Sequence, residues 1–277
     1  MATRVAGSFL LSILACVLAV LLCACSTPSQ TKVVKSLRPT QVVKAATYTG
    51  QNPPVPPVVN VRYMFASRPV GDSGLNRDIW RTCDETVLDL ETLSRLHEAG
   101  LRIGVLSGQP PETLDILLRE IPGTQLNGHE LHIPSNRLTS IQLGTLGKCP
   151  PELAAAIGES DGKPTQPALL FKAVPTLQGD GSVELHVTPT VQYGNIERRY
   201  VPEFGPGGVR QWTFENKRKE HEFTELSFRV RLRSDQTLLL TCDPDRKNTL
   251  GWFFFVNTSE SPPSQTLLVI QAFGAQD

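Results

Sequence analysis

The beginning of the chain is its most apolar part. Arg4 is the only charge among the first 25 residues, and an almost unbroken apolar run extends from Phe9 to Leu22. A basic start, a short apolar core and small residues after it are typical of a secretory signal. An uncleaved membrane helix is the alternative, since Val5 to Ala24 is about the ~20 residues that a bilayer core requires. We favour the signal because the most apolar part is shorter and no positive cluster follows it.

A first folded region is predicted over residues 58–134. In this region, segments whose apolar residues alternate as in a strand are interspersed with segments whose apolar residues are spaced as in a helix. The pattern predicts a strand over 58–65, helices over 75–81, 89–100 and 112–119, and strands over 101–106, 124–126 and 131–133, the last two joined by a turn at Asn127 and Gly128. Asp89 is predicted to cap its helix, Gly100 to end it, and Leu90, Leu93 and Leu96 to form its buried stripe. Strands separated by helices favour a small α/β or α+β module.

The remainder of the chain has mainly β character. Between residues 135 and 167 the signals weaken, with a strand near 138–143, a helix or strand near 150–157 and an exposed loop after it. Strict alternation and continuous apolar runs then predict strands over 168–177, 183–189, 209–214, 228–233, 237–241, 251–256 and 265–270. Continuous runs are typical of strands that are covered on both faces. We therefore expect Phe254 and Val269 to share one β core with Leu185 and Phe228.

Together these elements predict an α+β protein, in which a small N-terminal α/β module precedes a mainly antiparallel β region. The predicted segments are a signal peptide over 1–24, a basic Pro-rich tether over 25–57, the α/β module over 58–134, a connecting segment over 135–167 and the mainly-β region over 168–277. The tether has four cations, no acidic residue and a run of prolines at its end. It could be attracted to an anionic lipid surface, although a solubilising linker with incidental charge is the interpretation we favour slightly.

Composition and charge exclude some classes of protein. The chain has 27 basic and 27 acidic residues, so its overall charge gives no case for nucleic-acid binding. A hydrophobic content of 40% and a charged content of 19% suit a globular core rather than disorder. Cys83, Cys149 and Cys242 lie outside the first 25 residues, and their spacing fits no zinc pattern. We expect small buried residues first, and one disulfide as the alternative.

Five groups of residues invite a functional interpretation, and each has a simpler explanation. They are Gly100, Gly104 and Gly108; His129 and His132; Lys217, Arg218 and Lys219; Arg229, Arg231 and Arg233; and Asp243 and Asp245. The glycines have the wrong spacing for a dinucleotide loop, and two histidines three apart on a strand point to opposite faces. Solvated charged surfaces explain the two basic groups, and two carboxylates alone make a poor calcium site. We therefore predict no catalytic, metal or cofactor site and no small-molecule substrate.

The end of the apolar run resembles a bacterial lipobox, Leu22-Cys23-Ala24-Cys25. This resemblance implies cleavage after Ala24 and acyl chains such as palmitate on Cys25. Stable anchoring needs more than one acyl chain, and the two or three that lipoprotein processing adds would supply it. A lipid-anchored protein of the cell membrane or outer membrane, facing the periplasm or exterior, is the location that follows. Ser26 after the cysteine resembles the enterobacterial signal for outer-membrane sorting.

Two further resemblances concern the body of the chain. The hairpin from Leu177 to Pro189, and the segments 223–232 and 236–240, resemble the β core of bacterial secretins. The chain departs from that family where Thr241-Cys242-Asp243-Pro244 replaces a glycine-rich motif, and it lacks room for a pore domain with the usual periplasmic modules. The region 80–118 together with the β half resembles uncharacterised envelope proteins of planctomycete-type bacteria.

The sequence therefore predicts a lipid-anchored cell-envelope protein with a structural or protein-interaction role and without enzymatic activity. Its expected contacts are the membrane through Cys25 and an envelope protein partner. A secretin-associated accessory protein is the alternative, and an exported hydrolase is a third, less favoured hypothesis.

Overall fold

The described part of the chain folds into two antiparallel sheets and a few short helices. A computed structural model describes residues 56–119, 128–159, 166–204 and 210–274. The strands are β1 (Val58–Pro69), β2 (Leu101–Ser107), β3 (His129–Pro134), β4 (Thr139–Thr145), β5 (Ala168–Leu177), β6 (Val183–Phe204), β7 (Arg210–Glu222), β8 (Phe228–Leu232), β9 (Gln236–Cys242), β10 (Val256–Asn257) and β11 (Ser264–Gly274). The α-helices are α1 (Leu90–Glu98), α2 (Glu112–Arg119), α3 (Pro151–Ala156) and α4 (Leu250–Phe255). A π-helical turn, Gly74–Asp78, and two 3-10 turns, Ile79–Arg81 and Thr224–Leu226, complete the set.

The first sheet has the strand order β2-β9-β11-β1-β3, with β10 paired to the start of β11. All its pairings are antiparallel, and β1 matches β11 over most of its length, from Val59 opposite Gly274 to Pro69 opposite Ser264. The second sheet has the order β4-β5-β6-β7, and β8 pairs with the first part of β6. The predicted boundary between 58–134 and 168–277 does not separate the sheets, because β1, β2 and β3 share a sheet with β9 and β11.

The largest apolar core lies between the two sheets. Inward-facing residues of β1, β2, β9 and β11 meet inward-facing residues of β5, β6 and β8 in one cluster. Phe171 of β5 is fully buried there, with its ring centroid 5.4 Å from that of Phe254 and 5.9 Å from that of Phe255. Burial of apolar surface on this scale is the main favourable contribution to folding.

A second apolar cluster covers the other face of the first sheet. Leu75, Ile79 and Trp80 of the short helical turns pack with Leu114 and Leu117 of α2 against this face. From the sheet, Leu239, Leu267 and Val269 point into this cluster, whereas their neighbours Leu238, Leu240, Leu268 and Ile270 point into the larger core. Because β9 and β11 are covered on both faces, every position in their central runs is apolar, which confirms the interpretation of those runs.

Several predicted elements are confirmed by the structure. β1, β2, β3, β5, the first part of β6, β8, β9 and β11 lie where alternation or apolar runs predict strands, and α1 and α2 lie where helices are predicted. The Asp89 carboxylate accepts a hydrogen bond from the Thr92 N–H at 2.9 Å, as an N-cap residue does. Gly100 ends that helix with φ +74°, a conformation that glycine adopts without strain. The mostly antiparallel β architecture with few helices is therefore the observed fold.

Three predictions about individual elements are wrong. Residues 251–255 form α4 rather than a strand, because a short apolar run fits either element and the Thr249 side chain caps the helix. Leu90 is 83% exposed, so the buried stripe of α1 consists of Leu96 with Leu93 partly buried. Val269 lies in the second cluster, on the opposite side of the sheet from Phe254.

The connection between β8 and β9 does not form a hairpin. The two strands follow one another directly, yet β8 pairs with β6 in the second sheet and β9 pairs with β2 and β11 in the first. Arg233 to Gln236 forms the turn, with the Gln236 N–H bonded to the Arg233 carbonyl at 3.0 Å. The chain therefore crosses from one sheet to the other at this point.

Other predictions fall on residues that are not described. The signal over 1–24, the lipidation position Cys25, most of the tether and the strand near 124–126 lie outside the described residues. Within the described ranges, no helix is long and apolar enough to cross a membrane.

We predict that Phe254→Ala destabilises the protein by ~3–5 kcal/mol, because it removes a buried ring and leaves a cavity beside Phe171. Urea denaturation followed by circular dichroism measures the change. Phe214→Ala is the matched control, since that ring is 63% exposed, and its effect should stay within about 0.5 kcal/mol. Equal losses in the two variants would contradict the assignment of the core.

Candidate functional site: an exposed aromatic ribbon

The largest exposed aromatic side chains of the described residues gather on one extension of the second sheet. Up to Gln192, β6 pairs with β5, and its first residues also pair with β8. Beyond that point its pairing is with β7 alone, from Glu197 opposite Lys217 to Phe204 opposite Arg210. This two-stranded extension, residues 194–204 and 210–219, is called the ribbon below.

One face of the ribbon is aromatic. Tyr200 lies directly opposite Phe214 and Pro202 opposite Trp212, so the three aromatic rings share a face. Tyr200 is 66% exposed, Trp212 61% and Phe214 63%, and the centroids of the Tyr200 and Phe214 rings lie 4.4 Å apart. Ile196, also largely exposed, precedes them on β6. A contiguous exposed apolar patch of this kind marks an interaction surface more often than a scattered surface residue does.

The opposite face of the ribbon is polar, and several of its side chains form ion pairs or hydrogen bonds with one another or with the ribbon backbone. Arg199 lies opposite Glu215 and forms an ion pair with Glu197 at 3.0 Å. The Thr213 hydroxyl donates to the Val201 carbonyl at 3.4 Å. Of the charged side chains on this face, Arg199 and Glu197 pair with each other, and Lys217 lies 3.8 Å from Glu220 at the base of the ribbon. The ribbon is thus amphipathic, with one face suited to solvent and the other to a contact.

A nearly buried cluster of charges fixes the base of the ribbon to the second sheet. The Lys172 ammonium on β5 lies between the carboxylates of Glu220 and Glu222 on β7, at 2.5 and 2.6 Å. The Gln192 amide on β6 donates to Glu220 at 2.8 Å. The side chains of Lys172 and Glu220 are 11% and 14% exposed. Three strands are therefore joined by charge-assisted hydrogen bonds at the point where the ribbon leaves the sheet.

A second set of contacts holds the ribbon where its regular pairing is interrupted. The register shifts between Tyr193 and Glu197, and Gly194 there has φ +77°. Arg218 bridges this irregularity, because its guanidinium donates to the Gly194 carbonyl at 3.0 Å and to the Gln166 carbonyl at 2.6 Å. Lys219 pairs with Glu159 at 3.3 Å. Two residues of the basic group 217–219, Arg218 and Lys219, are thus engaged in contacts that hold the fold together.

The electrostatics of the cluster favour its charged forms. Burial alone lowers the pKa of Lys172, but its hydrogen bonds to Glu220 and Glu222 outweigh that effect and raise the pKa above its ordinary value. Burial alone likewise raises the pKa of Glu220, yet the hydrogen bonds from Lys172 and Gln192 leave it below its ordinary value. A lysine held as an ammonium in this way is a structural cation rather than a nucleophile.

The arginine group that the sequence singles out is mostly paired. Arg229, Arg231 and Arg233 point away from the core, as β8 alternation predicts for the first two. Arg231 binds the Asp180 carboxylate at 2.7 Å and donates to the Ser182 hydroxyl at 2.6 Å, while Arg229 lies 3.9 Å from Glu184. Two of the three cations therefore already face carboxylates, which leaves little free charge for an anionic polymer.

Asp243, His129 and His132 also contact neighbouring residues of the fold. The Asp243 carboxylate accepts the Asp245 N–H at 3.0 Å and lies 3.7 Å from the Arg246 guanidinium. His129 stacks on Tyr63, and the ring of His132 lies 2.6 Å from the Asn60 side-chain oxygen. Among the described residues, no group of three or more His, Cys, Asp or Glu could hold a metal ion.

The three cysteines outside the N-terminal segment are free thiols. Cys242 is buried, and Cys83 and Cys149 are half-buried. Burial raises the pKa of Cys83 and of Cys242 to about 12, so both thiols stay protonated at neutral pH. A protonated thiol is neither a good nucleophile nor a metal ligand. The interpretation as small packing residues fits Cys242 best.

The ribbon face and the charged cluster are the features that sequence reasoning missed. The strand predicted over 209–214 contains Trp212 and Phe214, but Tyr200 is not predicted to join them, because the pairing of β6 with β7 is needed to bring it beside Phe214. Lys172 and Glu222 are 50 positions apart. The available signal was the alternation from Ile196 to Pro202, in which every second residue faces one side.

Comparison of the chain with models of protein families, with curated proteins and with solved structures finds no match in any of the three.

We predict that Lys172→Met destabilises the protein by ~3–5 kcal/mol, since it leaves the nearly buried Glu220 carboxylate without its cation. Urea denaturation measures the loss. Arg199→Met is the control, because its ion pair with Glu197 is exposed and worth at most ~1 kcal/mol. A loss for Lys172→Met no larger than that of the control would show that the cluster does not hold the ribbon base.

The same cluster predicts a pH dependence. Because the folded-state pKa of Glu220 lies below its ordinary value of 4.5, its contribution to stability is present above that pH and is lost as the pH falls through the lowered pKa. In Lys172→Met, burial without the cation raises that pKa, so the contribution changes sign. Unfolding free energies at a series of acidic pH values should therefore converge for the two proteins. Parallel curves would contradict the assignment.

Proposed function

We propose that this protein is a lipid-anchored component of a bacterial cell envelope, with a structural or interaction role and without catalysis. Acyl groups on Cys25 attach it to a membrane, and the tether up to Pro57 connects that anchor to the folded body. The ribbon is the element that contacts a second envelope component. The lipobox resemblance supports the anchor, and the exposed aromatic face of the ribbon supports the contact.

The single observation that carries the interaction role is the composition of the ribbon face. Trp212, Tyr200 and Arg198 belong to the residue types that contribute most to binding at contact surfaces. They are exposed together on an element that does not belong to the core between the sheets. Exposing three aromatic rings to water is unfavourable unless they are covered in use. A binding partner that covers these aromatic rings explains their presence better than a role in the stability of the fold does.

The charges of the body also suit a non-catalytic role. The buried thiols are protonated, Lys172 is held as an ammonium, and the Asp243 carboxylate is bound by neighbouring groups. Each of these groups has a structural use in the fold. Catalytic acids and bases instead combine a perturbed pKa with an accessible cleft.

A secretin-associated accessory role is the alternative from the sequence. Its support is the resemblance of the hairpin from Leu177 to Pro189, and of the segments 223–232 and 236–240, to the β core of secretins. The last two segments contain β8 and β9, which belong to different sheets. We favour the general envelope role because Thr241-Cys242-Asp243-Pro244 stands where that family has a glycine-rich motif.

We predict that the mature protein begins at Cys25 and carries acyl groups. Mass spectrometry of the N-terminal peptide from purified membranes measures both properties. Cys25→Ser is the matched control, because it removes the thiol and should leave the precursor uncleaved and unmodified. An intact Met1 or an unmodified Cys25 in the wild-type protein would overturn the proposal of a lipid anchor.

A further inference from the structure

We propose that the aromatic face of the ribbon docks onto the surface of an anionic phospholipid bilayer. The protein would then touch the membrane twice, through its acyl groups and through the ribbon. This inference rests on the proposed function for the first of these contacts. It adds the chemical identity of the surface that the ribbon recognises.

The side chains of the aromatic face suit the boundary between lipid and water. Trp and Tyr carry a large apolar ring together with one polar group, and both are enriched at the level of lipid head groups. Trp212 and Tyr200 stand on this face with Phe214 between them, each more than half exposed. Pro202, opposite Trp212, adds apolar surface without adding a charge. The face can therefore enter the head-group region while the ribbon backbone stays outside the hydrocarbon core.

The charge of the ribbon points to an anionic surface. Among its side chains that the structure describes, five are basic, Arg198, Arg199, Lys217, Arg218 and Lys219, and two are acidic, Glu197 and Glu215. Because Arg199, Lys217 and Lys219 are paired with Glu197, Glu220 and Glu159, the attraction to an anionic surface has to come mainly from Arg198. Arg198 lies on the aromatic face, opposite Asn216, and has no hydrogen-bond or ion-pair partner in the described ranges. Cations beside a membrane-facing apolar patch are attracted by acidic lipids.

The same charges argue against a second copy of the chain as the occupant. Packing two ribbons face to face would bring two positively charged elements together. Each ring buries ~150–250 Å² when fully covered, so the six rings of two copies would bury about 900–1,500 Å² at most, at or below the lower part of the range for a stable interface. A planar anionic surface meets the cations without this repulsion.

The base of the ribbon and the tether make the second contact possible. Lys172 fixes the ribbon direction relative to the second sheet, so the aromatic face is presented as part of a rigid body. The residues between Cys25 and Val58 could span up to about 100 Å if fully extended.

The experiment places an environment-sensitive fluorophore on each face of the ribbon. Asn216→Cys carries an NBD label on the aromatic face, and Thr213→Cys carries it on the polar face of the same strand. The full lipidated chain is reconstituted in vesicles of phosphatidylcholine alone or mixed with phosphatidylglycerol. Wild-type protein taken through the same labelling gives the background from Cys83 and Cys149.

We expect NBD at position 216 to brighten and shift to the blue with phosphatidylglycerol vesicles, and NBD at position 213 to stay unchanged. High salt should reverse the shift, since it screens the attraction. Arg198→Gln should lower the docking equilibrium about fivefold, the effect of one cation near an anionic surface. No shift, an equal shift at both positions, or the same shift with phosphatidylcholine alone would overturn the inference.

Two further outcomes would assign the ribbon to another occupant and also overturn the inference. A shift that appears without vesicles and grows with protein concentration would indicate a second copy. A shift that requires added envelope proteins rather than lipid would indicate a protein partner. Failure of the anchor is recognised separately, because the N-terminal peptide would then carry no acyl groups in mass spectrometry, whatever the fluorescence shows.

Discussion

The strands β9 and β11 have no face that can be left in water. Their residues alternate between the core that faces the second sheet and the cluster under the short helical turns and α2. Burying both faces requires a layer on each side, and the two layers come from distant parts of the chain. One face of β9 and β11 is therefore buried by the short helical turns around Trp80, and the other face is buried by the second sheet. Arg102 lies at one edge of the layer formed by these turns. Its guanidinium is 4.2 Å from the centroid of the Trp80 ring and forms two hydrogen bonds with Glu85.

The ribbon follows a different physical rule, since it has no apolar core of its own. A two-stranded hairpin by itself is marginal in water. Here its attachment to the sheet is supplied by hydrogen bonds and ion pairs at its base, from Lys172 on one side and Arg218 on the other. The two halves of β6 therefore differ. The first half contributes Leu185 and Val187 to the core, and the second half carries the exposed ring of Tyr200. The part of β6 that stabilises the core is thus separate from the part that carries the proposed contact surface.

Local patterns predicted much of the secondary structure and little of its arrangement. Alternation located β8, because Phe228, Val230 and Leu232 face the core and the arginines between them face solvent. The run from Gly251 to Phe255 misled the prediction, since a short run of apolar residues has no polar position to reveal the period of a helix. The assignment of β8 and β9 to different sheets depends on pairings with β6, β2 and β11 that no local pattern encodes. The candidate site was hidden for the same reason, as Tyr200 and Phe214 meet through register alone.

The order of strands in the first sheet also has a consequence for when the protein can fold. β11, the last strand of the described chain, joins the β1–β3 pair to the β2–β9 pair. Until β11 has been synthesised, the sheet exists as two unconnected halves, and contacts between such distant segments form slowly. The strand that closes the sheet is therefore synthesised after all the other strands of the described chain, and completion of the sheet has to wait for it.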